Sequence, residues 1–158
     1  MSYINILIHA IIRTYKSEQT LPTDDRVKFL YREIWGIIKN RGGYLYRINS
    51  MPDHVHLLFT MPATISLSDF MQAIKGASSK IIKTKDGFEN FKAWSEGYAA
   101  LSKSMEDKQK IINYIINQQE HHKLQSFKDE YIIFIKEMGL SFDERDWGDR
   151  QDKQKSIN

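Results

Sequence analysis

The sequence predicts an α+β fold: a ferredoxin-like βαββαβ sandwich with an antiparallel sheet, followed by further C-terminal helices. Apolar side chains alternate with a period of two over residues 3–14, as expected for a strand. Later stretches carry apolar residues at helical spacing, and the elements follow one another in the order β, α, β, β, α, β. The chain has 158 residues, 41% of them hydrophobic, which is enough for one compact domain with a core.

The strands are predicted from alternation and from β-branched residues. They are expected at residues 3–14, at residues 44–49, from His54 onward, and at residues 97–102. The first strand is expected to be central in the sheet, because its even positions are uniformly apolar. Pro52 and Asp53 favour a tight turn, so the second and third strands should form an antiparallel hairpin.

The helices are predicted from apolar spacing and from capping residues. They are expected from Thr23 to just before Gly42, at residues 66–83, from Ser104 to about His121, and at residues 127–138. The hydroxyls of Thr23 and Ser104 are the expected N-caps. The first two helices should cover one face of the sheet. The domain is expected to occupy residues 1–140, with a polar tail at residues 141–158.

Charge and composition narrow the function classes. The chain has 23 Lys and Arg against 20 Asp and Glu, a formal net charge of +3, and a sequence pI of about 9.0, which is compatible with nucleic-acid binding. It has no cysteine, so disulfides and thiolate metal ligands are excluded. The sequence has no Gly-rich phosphate-binding loop, so no nucleotide cofactor is expected. The apolar run at residues 4–12 is too short to span a membrane, so a cytoplasmic protein without membrane contact is expected.

Two histidines stand two residues apart in the third predicted strand. Alternation places His54 and His56 on one face with their Cα atoms roughly 7 Å apart. Two neutral imidazoles at that span can converge on one metal ion. A single strand histidine, such as His9, is more often a structural residue, but the pair beside Asp53 favours metal ligands.

A tyrosine lies in the third predicted helix, among the C-terminal helices. At about 100° per residue, Tyr114 falls toward the side of this helix opposite a cluster of four isoleucines, Ile111, Ile112, Ile115 and Ile116. Tyr114 and Gln118 are separated by four positions, so their side chains project from the same face. The orientation of Tyr114 away from its own apolar stripe suggests that it reaches the sheet of a partner subunit. The alternative for Tyr114 is a surface phenol, and the rival tyrosines are Tyr98 and Tyr131.

These segments resemble the HUH single-tyrosine transposases of the insertion sequence 200-like family, which includes REP-associated members. The resemblance is carried by the segments Ser50-Met51-Pro52-Asp53-His54-Val55-His56-Leu57-Leu58 and Asn113-Tyr114-Ile115-Ile116-Asn117-Gln118-Gln119-Glu120-His121-His122, with Ser126-Phe127-Lys128-Asp129-Glu130 downstream. It implies a DNA transposase that cleaves and rejoins single-stranded DNA at hairpin-marked element ends. The implied intermediate is a 5′-phosphotyrosine, and the implied cofactor is a divalent metal, Mg²⁺ or Mn²⁺.

The resemblance also implies roles for particular residues. Tyr114 would be the nucleophile, and the metal ligands would be His54, His56 and Gln118. Glu120, His121 and His122 are possible substitutes for Gln118. The resemblance further implies a homodimer in which the active sites are shared between subunits.

Contacts with DNA are less sharply indicated. The candidates for phosphate contact are Arg13, Lys75, Ser78, Ser79 and Lys80. Tyr44, Tyr46 and Trp94 are candidates for stacking on unpaired bases. The alternative function is a non-catalytic, single-stranded nucleic-acid-binding module of ferredoxin-like fold, which would need exposed aromatic residues on the sheet face that carries His54 and His56.

Overall fold

The computed structural model describes residues 1–148 and confirms the predicted α+β fold. Its strands are β1 Leu7–Arg13, β2 Tyr44–Met51, β3 His54–Thr60 and β4 Ala99–Lys103. Its helices are α1 Lys28–Asn40, α2 Leu67–Ile82, α3 Lys108–Ile116, α4 Gln118–His121 and α5 Phe127–Glu137. None of the helices in the described part of the chain is long and apolar enough to cross a membrane.

The four strands form one antiparallel sheet in the order β2-β3-β1-β4. Strand β1 is central, as predicted, and all seven of its residues are buried. Met51 pairs with His54, so Pro52 and Asp53 make the two-residue turn of the predicted hairpin. Strand β1 starts at Leu7 rather than at residue 3, because its neighbours reach no further: Leu7 pairs with Thr60 and with Lys103, the last residues of β3 and β4.

The main core lies between the sheet and helices α1 and α2, on the predicted face. The alternate positions of β1 and β3 enter it: Ile8, Ala10, Ile12, Val55, Leu57 and Phe59. They meet buried side chains of the two helices, among them Leu30, Ile34, Ile38, Phe70 and Ile74. Burying one such side chain contributes roughly 1.5–3 kcal/mol, so this face supplies most of the hydrophobic stabilisation.

The opposite face of the sheet is covered as well. Near one end, Leu7 and Leu58 pack against Ile111 and Ile115 of α3. A second cluster joins the sheet to α5, through Ile11, Ala99, Phe127, Tyr131 and Phe134. The histidine face is therefore enclosed between the sheet and the C-terminal helices.

The third predicted helix is interrupted at Asn117. Helix α3 ends at Ile116, and α4 begins at Gln118. The side-chain amide of Asn49 in β2 donates to the backbone carbonyl of Ile115 at 2.8 Å and to that of Ile116 at 3.3 Å. These bonds occupy carbonyls that a continuous helix would use, and they tie the end of α3 to the sheet.

Two other sequence expectations differ in detail. Asp24, and not Thr23, provides the cap before α1, since its carboxylate accepts from the Arg26 amide and a short 3₁₀ turn precedes the helix. The domain also continues past residue 140. Phe142 and Trp147 pack against the α5 cluster, because a tryptophan in an otherwise polar segment offers a large apolar surface to bury. The rest of the predicted tail, residues 149–158, lies outside the described residues.

We expect Gly43→Ala to destabilise the fold by about 1–3 kcal/mol, the usual cost of overpacking. A Cβ at Gly43 would lie 2.6 Å from the Thr60 carbonyl oxygen and 2.9 Å from both Ile38 and Phe70. The matched control is Gly76→Ala inside α2, where nothing lies within 4 Å of the added carbon and helix propensity favours alanine. Thermal unfolding should show a lower midpoint for the first variant and an equal or higher one for the second. Equal midpoints for Gly43→Ala and the parent chain would contradict this packing.

Candidate active site

Two histidines of β3 lie side by side beneath the C-terminal helices. His54 and His56 are completely buried, and their ring centroids are 5.2 Å apart. They face the same side of the sheet, as the alternation predicted. Their ring nitrogens are therefore available to side chains from α4 and α5 rather than to water.

A carboxylate from α5 and a third imidazole join this pair. Glu130 Oε1 lies 3.4 Å from His54 Nε2, 3.0 Å from His56 Nε2 and 3.2 Å from His122 Nε2. The Glu130 side chain is only 3% exposed. A carboxylate at that depth is tolerated only with strong partners, and here three imidazoles provide them.

Gln118 stands beside the same carboxylate. It is fully buried, its Nε2 donates to Glu130 Oε2 at 3.1 Å, and its Oε1 lies 3.0 Å from His122 Nε2 and 3.4 Å from His54 Nε2. Because the amide nitrogen faces the carboxylate, the amide oxygen faces the imidazoles. The structure thus brings together the three predicted ligands, His54, His56 and Gln118.

The outer nitrogen of each imidazole has its own partner. Nδ1 of His54 lies 2.7 Å from Asp53 Oδ1, and Nδ1 of His122 lies 3.1 Å from the Gln125 carbonyl. Both partners can only accept, so these Nδ1 atoms carry a proton, and in the neutral rings the Nε2 lone pair is directed inward. Nδ1 of His56 lies 2.9 Å from Nε2 of His9. Outer hydrogen bonds of this kind fix the tautomer of metal-ligating histidines.

The donor atoms fit a bound cation. Neighbouring ligands at right angles around an ion, each about 2.1 Å from it, lie roughly 3 Å apart. The nitrogen and oxygen atoms above are separated by 3.0–3.4 Å. His54, His122 and Glu130 each offer one ligand atom within 4.8 Å of the others. Three imidazoles with a carboxylate and an amide oxygen suit Mn²⁺ and similar ions better than Mg²⁺, which prefers oxygen ligands.

Tyr114 reaches this centre from its own chain. Its hydroxyl donates a short hydrogen bond to Glu130 Oε2, and its ring centroid lies 5.8 Å from that of His56. The expectation that Tyr114 points away from its own sheet is therefore wrong. The buried stripe of α3 runs through Ile111 and Ile115, whereas Ile116 is 40% exposed, so Tyr114 lies on the flank of the stripe. Counting the exposed isoleucine as core had rotated the predicted apolar face away from the sheet.

A cavity of about 310 Å³ opens beside the tyrosine. Tyr114 and Glu130 line it together with two cations, Lys103 and Lys110, and with His9. Asp107 and Glu137 line it too, and Lys103 pairs with Glu137, so the charges around the hydroxyl are mixed rather than uniformly positive.

Burial and hydrogen bonding shift the pKa values of the cluster in different directions. Burial alone would raise the pKa of the Glu130 carboxyl, but hydrogen bonds from His122, His54 and His56 hold it far below its usual range. For His54, burial is opposed by hydrogen bonds to Asp53 and Glu130, and its pKa is raised. Burial lowers the pKa of His56 to about 4 despite the contact with Glu130. Burial and the Glu130 carboxylate raise the pKa of Tyr114.

Of the three residues named as possible metal ligands in place of Gln118, the structure brings only His122 into the cluster. His122 belongs to the cluster, but His121 packs against Tyr114 with tilted rings whose centroids are 4.6 Å apart. Glu120 is exposed and pairs with Lys123. Among the rival tyrosines, Tyr131 packs in the α5 core, as anticipated, and Tyr98 packs against the main core.

Sequence reasoning missed two members of the site, Glu130 and His9. A usable signal existed for Glu130. Phe127, Tyr131 and Phe134 mark the buried stripe of α5, and a carboxylate at position 130 falls on that stripe. His9 gave a weaker signal, since it is one polar residue in an apolar strand. Its partner on β3 depends on strand pairing that the sequence does not state.

Three of the five candidates for phosphate contact are buried in other roles. Arg13 donates to Ser17 Oγ and to the Asp146 carbonyl, and its guanidinium lies 4.7 Å from the centre of the Trp147 ring. Lys75 donates to the Glu96 carbonyl at 2.6 Å, and Ser78 donates to the Ile74 carbonyl and accepts from Trp94. The stacking candidate Trp94 is buried as well.

Helix α2 contributes to the main core, on the face of the sheet opposite the histidines. Ser79 and the exposed Lys80 are also on this helix, so the α2 cluster is separated from the site by the sheet. Phosphate contact at Ser79 and Lys80 stays a prediction, and any such contact would lie across the sheet from the histidines, on the face that the sequence predicted for α2.

A family model described as "Transposase IS200 like" matches residues 2–118, which include both histidines, Tyr114 and Gln118. The chain belongs to the IS200-like transposase family. Membership confirms the resemblance seen in the sequence and makes the chain a transposase, a DNA-cleaving enzyme of DNA transposition. The matched residues span the sheet and helices α1 to α3.

Individual relatives agree with this assignment. The ISDra2 transposase TnpA of Deinococcus radiodurans is 29% identical over 101 residues, which cover 61% of this chain and 70% of that protein. A putative transposase structure from the same organism is 27% identical, with a TM-score of 0.57, and covers 74% of this chain and 93% of its own. A REP-associated tyrosine transposase bound to a REP hairpin shares the fold, with a TM-score of 0.55 and 17% identity, over 77% of this transposase and 72% of that chain.

In metal-free protein, we expect Glu130→Gln to lower the pKa of His54, because burial then acts with less opposition from a carboxylate. A histidine whose pKa is raised in the folded state adds to the free energy of unfolding below its ordinary pKa of about 6.5. That contribution is lost as the pH rises through the pKa of the folded state. The stability difference between the parent and the variant should therefore shrink as the pH rises above about 6.5. NMR titration of the His54 ring and urea unfolding, both in EDTA, measure these quantities. The control is Glu137→Gln, an exposed carboxylate of the same helix; an equal His54 pKa in all three proteins would contradict the coupling.

Proposed function

We propose that this transposase cleaves and rejoins single-stranded DNA at hairpin-marked ends through a 5′-phosphotyrosine on Tyr114, with a divalent cation at the histidine cluster. The observation that carries the proposal is the convergence on Glu130. One of its oxygens faces three imidazole nitrogens, and the other accepts the hydroxyl of Tyr114. A nucleophile and a set of metal donors thus share one buried carboxylate.

The proposed reaction is a transesterification. The phenolic oxygen of Tyr114 attacks the scissile phosphorus, the bond from phosphorus to the 3′ oxygen breaks, and the strand leaves with a 3′-hydroxyl. The Tyr114 hydroxyl, which donates to Glu130 Oε2, loses its proton to solvent as the new bond forms, and the leaving oxygen takes up a proton from water. The phosphotyrosine keeps a phosphodiester bond, so a second 3′-hydroxyl can reverse the step without ATP.

The surrounding residues hold the reactants in place. Asp53, His9 and the Gln125 carbonyl fix the ring orientations, and Gln118 holds the second oxygen of Glu130. We assign His54, His56 and Gln118 as ligands, joined by His122 and Glu130. When bound, the cation supplies positive charge that offsets the non-bridging phosphate oxygens and favours a phenolate at Tyr114. Mn²⁺ suits this nitrogen-rich set, and Mg²⁺ is the alternative.

The non-catalytic alternative is poorly supported. A ferredoxin-like module that stacks bases needs an open sheet face with exposed aromatic residues. In this chain, α3 and α5 cover that face, and His54 and His56 are fully buried. An enclosed polar cluster of this kind is typical of catalytic or metal sites.

The arrangement of subunits is open to a direct test. The resemblance implies a homodimer with active sites shared between subunits, and this stays a prediction. The single chain supports a site completed by its own tyrosine, since Tyr114 already contacts Glu130 beside His56. The two arrangements differ in the outcome of mixing inactive variants.

We expect Tyr114→Phe to form no covalent adduct with an end-labelled, hairpin-bearing single strand, because the variant lacks only the attacking oxygen. The parent chain should form the adduct on the single strand and not on a fully paired duplex, which cannot present a splayed phosphate to an enclosed site. Denaturing gels measure the adduct. Tyr98→Phe serves as the control. An adduct in Tyr114→Phe, or equal cleavage of duplex by the parent, would refute the assignment.

His54→Ala and His56→Ala should each abolish cleavage and weaken Mn²⁺ binding by at least about 10–100-fold, the cost usually seen even for outer-shell partners. Hairpin binding should stay within a few fold, since the imidazoles orient the phosphate rather than hold the DNA. Calorimetry with Mn²⁺ and DNA anisotropy separate the two effects. His121→Ala removes a histidine outside the cluster and should retain Mn²⁺ binding. Full Mn²⁺ affinity in either ligand variant would place the metal elsewhere.

Mixing His54→Ala with Tyr114→Phe should restore no adduct formation if each chain completes its own site. Every site would then carry one lesion. Subunit exchange of purified variants, with size measurements to detect heterodimers, provides the test. Recovery of activity in heterodimers would instead establish the shared arrangement that the resemblance implies.

A further inference from the structure

An open groove of about 640 Å³ runs along the outer edge of β2, on the side of α1. It is separate from the cavity beside Tyr114, and its residues have no part in the mechanism above. Its walls combine two arginines, Arg32 and Arg47, with two tyrosines, Tyr31 and Tyr46. Cations interleaved with aromatic rings are the combination that binds the backbone and bases of single strands.

The two arginines are free to bind an anion. Both are exposed, and neither forms a salt bridge with a carboxylate within residues 1–148. Most other arginines of this part of the chain are engaged: Arg26 and Arg145 pair with aspartates, and Arg13 is buried. Two unpaired guanidiniums on one concave surface create a local positive potential, for which a phosphate backbone is the complementary ligand.

A β-bulge places this surface beside the active-site face. Leu45 pairs with Phe59 and Arg47 pairs with Leu58, which leaves Tyr46 as the extra residue of β2. The Tyr46 ring packs at the edge of the cluster formed by Leu58 and α3, with the Lys108 ammonium 4.9 Å from its centre. Bulges of this kind re-aim side chains next to functional sites. Here the bulge brings an aromatic ring and a cation into one groove.

The groove borders the metal-donor cluster. Asn49 and Gln119 line it, and they are joined by hydrogen bonds of 3.0 and 3.2 Å. Asn49 pairs with His56 across the sheet, and Gln119 directly follows Gln118. A DNA strand in the groove would thus contact Asn49 and Gln119, each of which is a direct neighbour of a metal-donor residue, His56 or Gln118.

We propose that this groove binds the single-stranded DNA that adjoins the scissile phosphate, with Arg32 and Arg47 on its phosphates and Tyr46 against a base. The proposal rests on the proposed function, because the groove serves the strand that Tyr114 cuts. It assigns binding of the flanking strand to the β2 edge and not to the α2 residues that the sequence suggested.

The test compares binding of a labelled oligothymidylate, which forms no hairpin, to the full chain and to Arg32→Ala, Arg47→Ala and the double variant. Fluorescence anisotropy over a series of salt concentrations gives the affinity and its salt dependence. Each lost phosphate contact should lower the slope of log K against log salt by about 0.7, and the double variant should bind on the order of tenfold more weakly. Arg47→Lys should keep the slope, since it keeps the charge.

Arg41→Ala is the matched control, because it removes an exposed arginine from the far end of α1. It should leave the slope and affinity unchanged, and thermal unfolding should show that all variants fold. A slope in the double variant equal to that of the parent, or an equal loss in Arg41→Ala, would overturn the proposal.

The failure of this proposal is distinguishable from failure of the proposed function. At saturating hairpin DNA, the arginine variants should still form the Tyr114 adduct, because the nucleophile and donors are untouched. If the parent chain forms no adduct while the arginine variants bind oligothymidylate more weakly, the groove stands as a DNA site and the proposed chemistry fails.

Discussion

The Glu130 carboxylate is the constraint on which the C-terminal half of the structure depends. A buried charge of this kind costs several kcal/mol unless it is fully paired. Its partners come from β3, α3, α4 and the segment before α5, so each of these elements is held to the others through one side chain. The apolar clusters around Glu130 pack the C-terminal helices against the sheet, but the carboxylate fixes where these helices lie on the sheet.

The helices on the two faces of the sheet contribute different kinds of side chains. Helices α1 and α2 supply apolar side chains, and their face of the sheet is a conventional core. Helices α3 to α5 combine apolar anchors with polar side chains that reach the middle of the sheet. Loss of one polar partner there leaves others unsatisfied, so this layer tolerates substitution less well than its modest apolar area suggests.

Local patterns were sufficient for the fold and for part of the site. Alternation in β3 places His54 and His56 on one face, and a spacing of four brings Tyr114 and Gln118 to one side of their helices, which are properties of neighbouring residues. The stripe of α5 indicates that Glu130 is buried, but the contacts of Glu130 and His9 with the β3 histidines depend on how α5 and β1 pack against β3, which no local pattern encodes. The orientation of Tyr114 was mistaken because an exposed isoleucine resembles a core residue in sequence.

The interruption at Asn117 has a thermodynamic consequence. It separates α3 from the short α4, so Gln118 and His122 are presented by a segment with few apolar anchors of its own. A ligand that binds only the assembled cluster stabilises that assembly by mass action, by about 2.7 kcal/mol at a concentration one hundred times its dissociation constant. A cation bound by β3 and by this segment would therefore stabilise the contact between the sheet and α4. Local unfolding of α4 would then become rarer as more of the protein binds the cation.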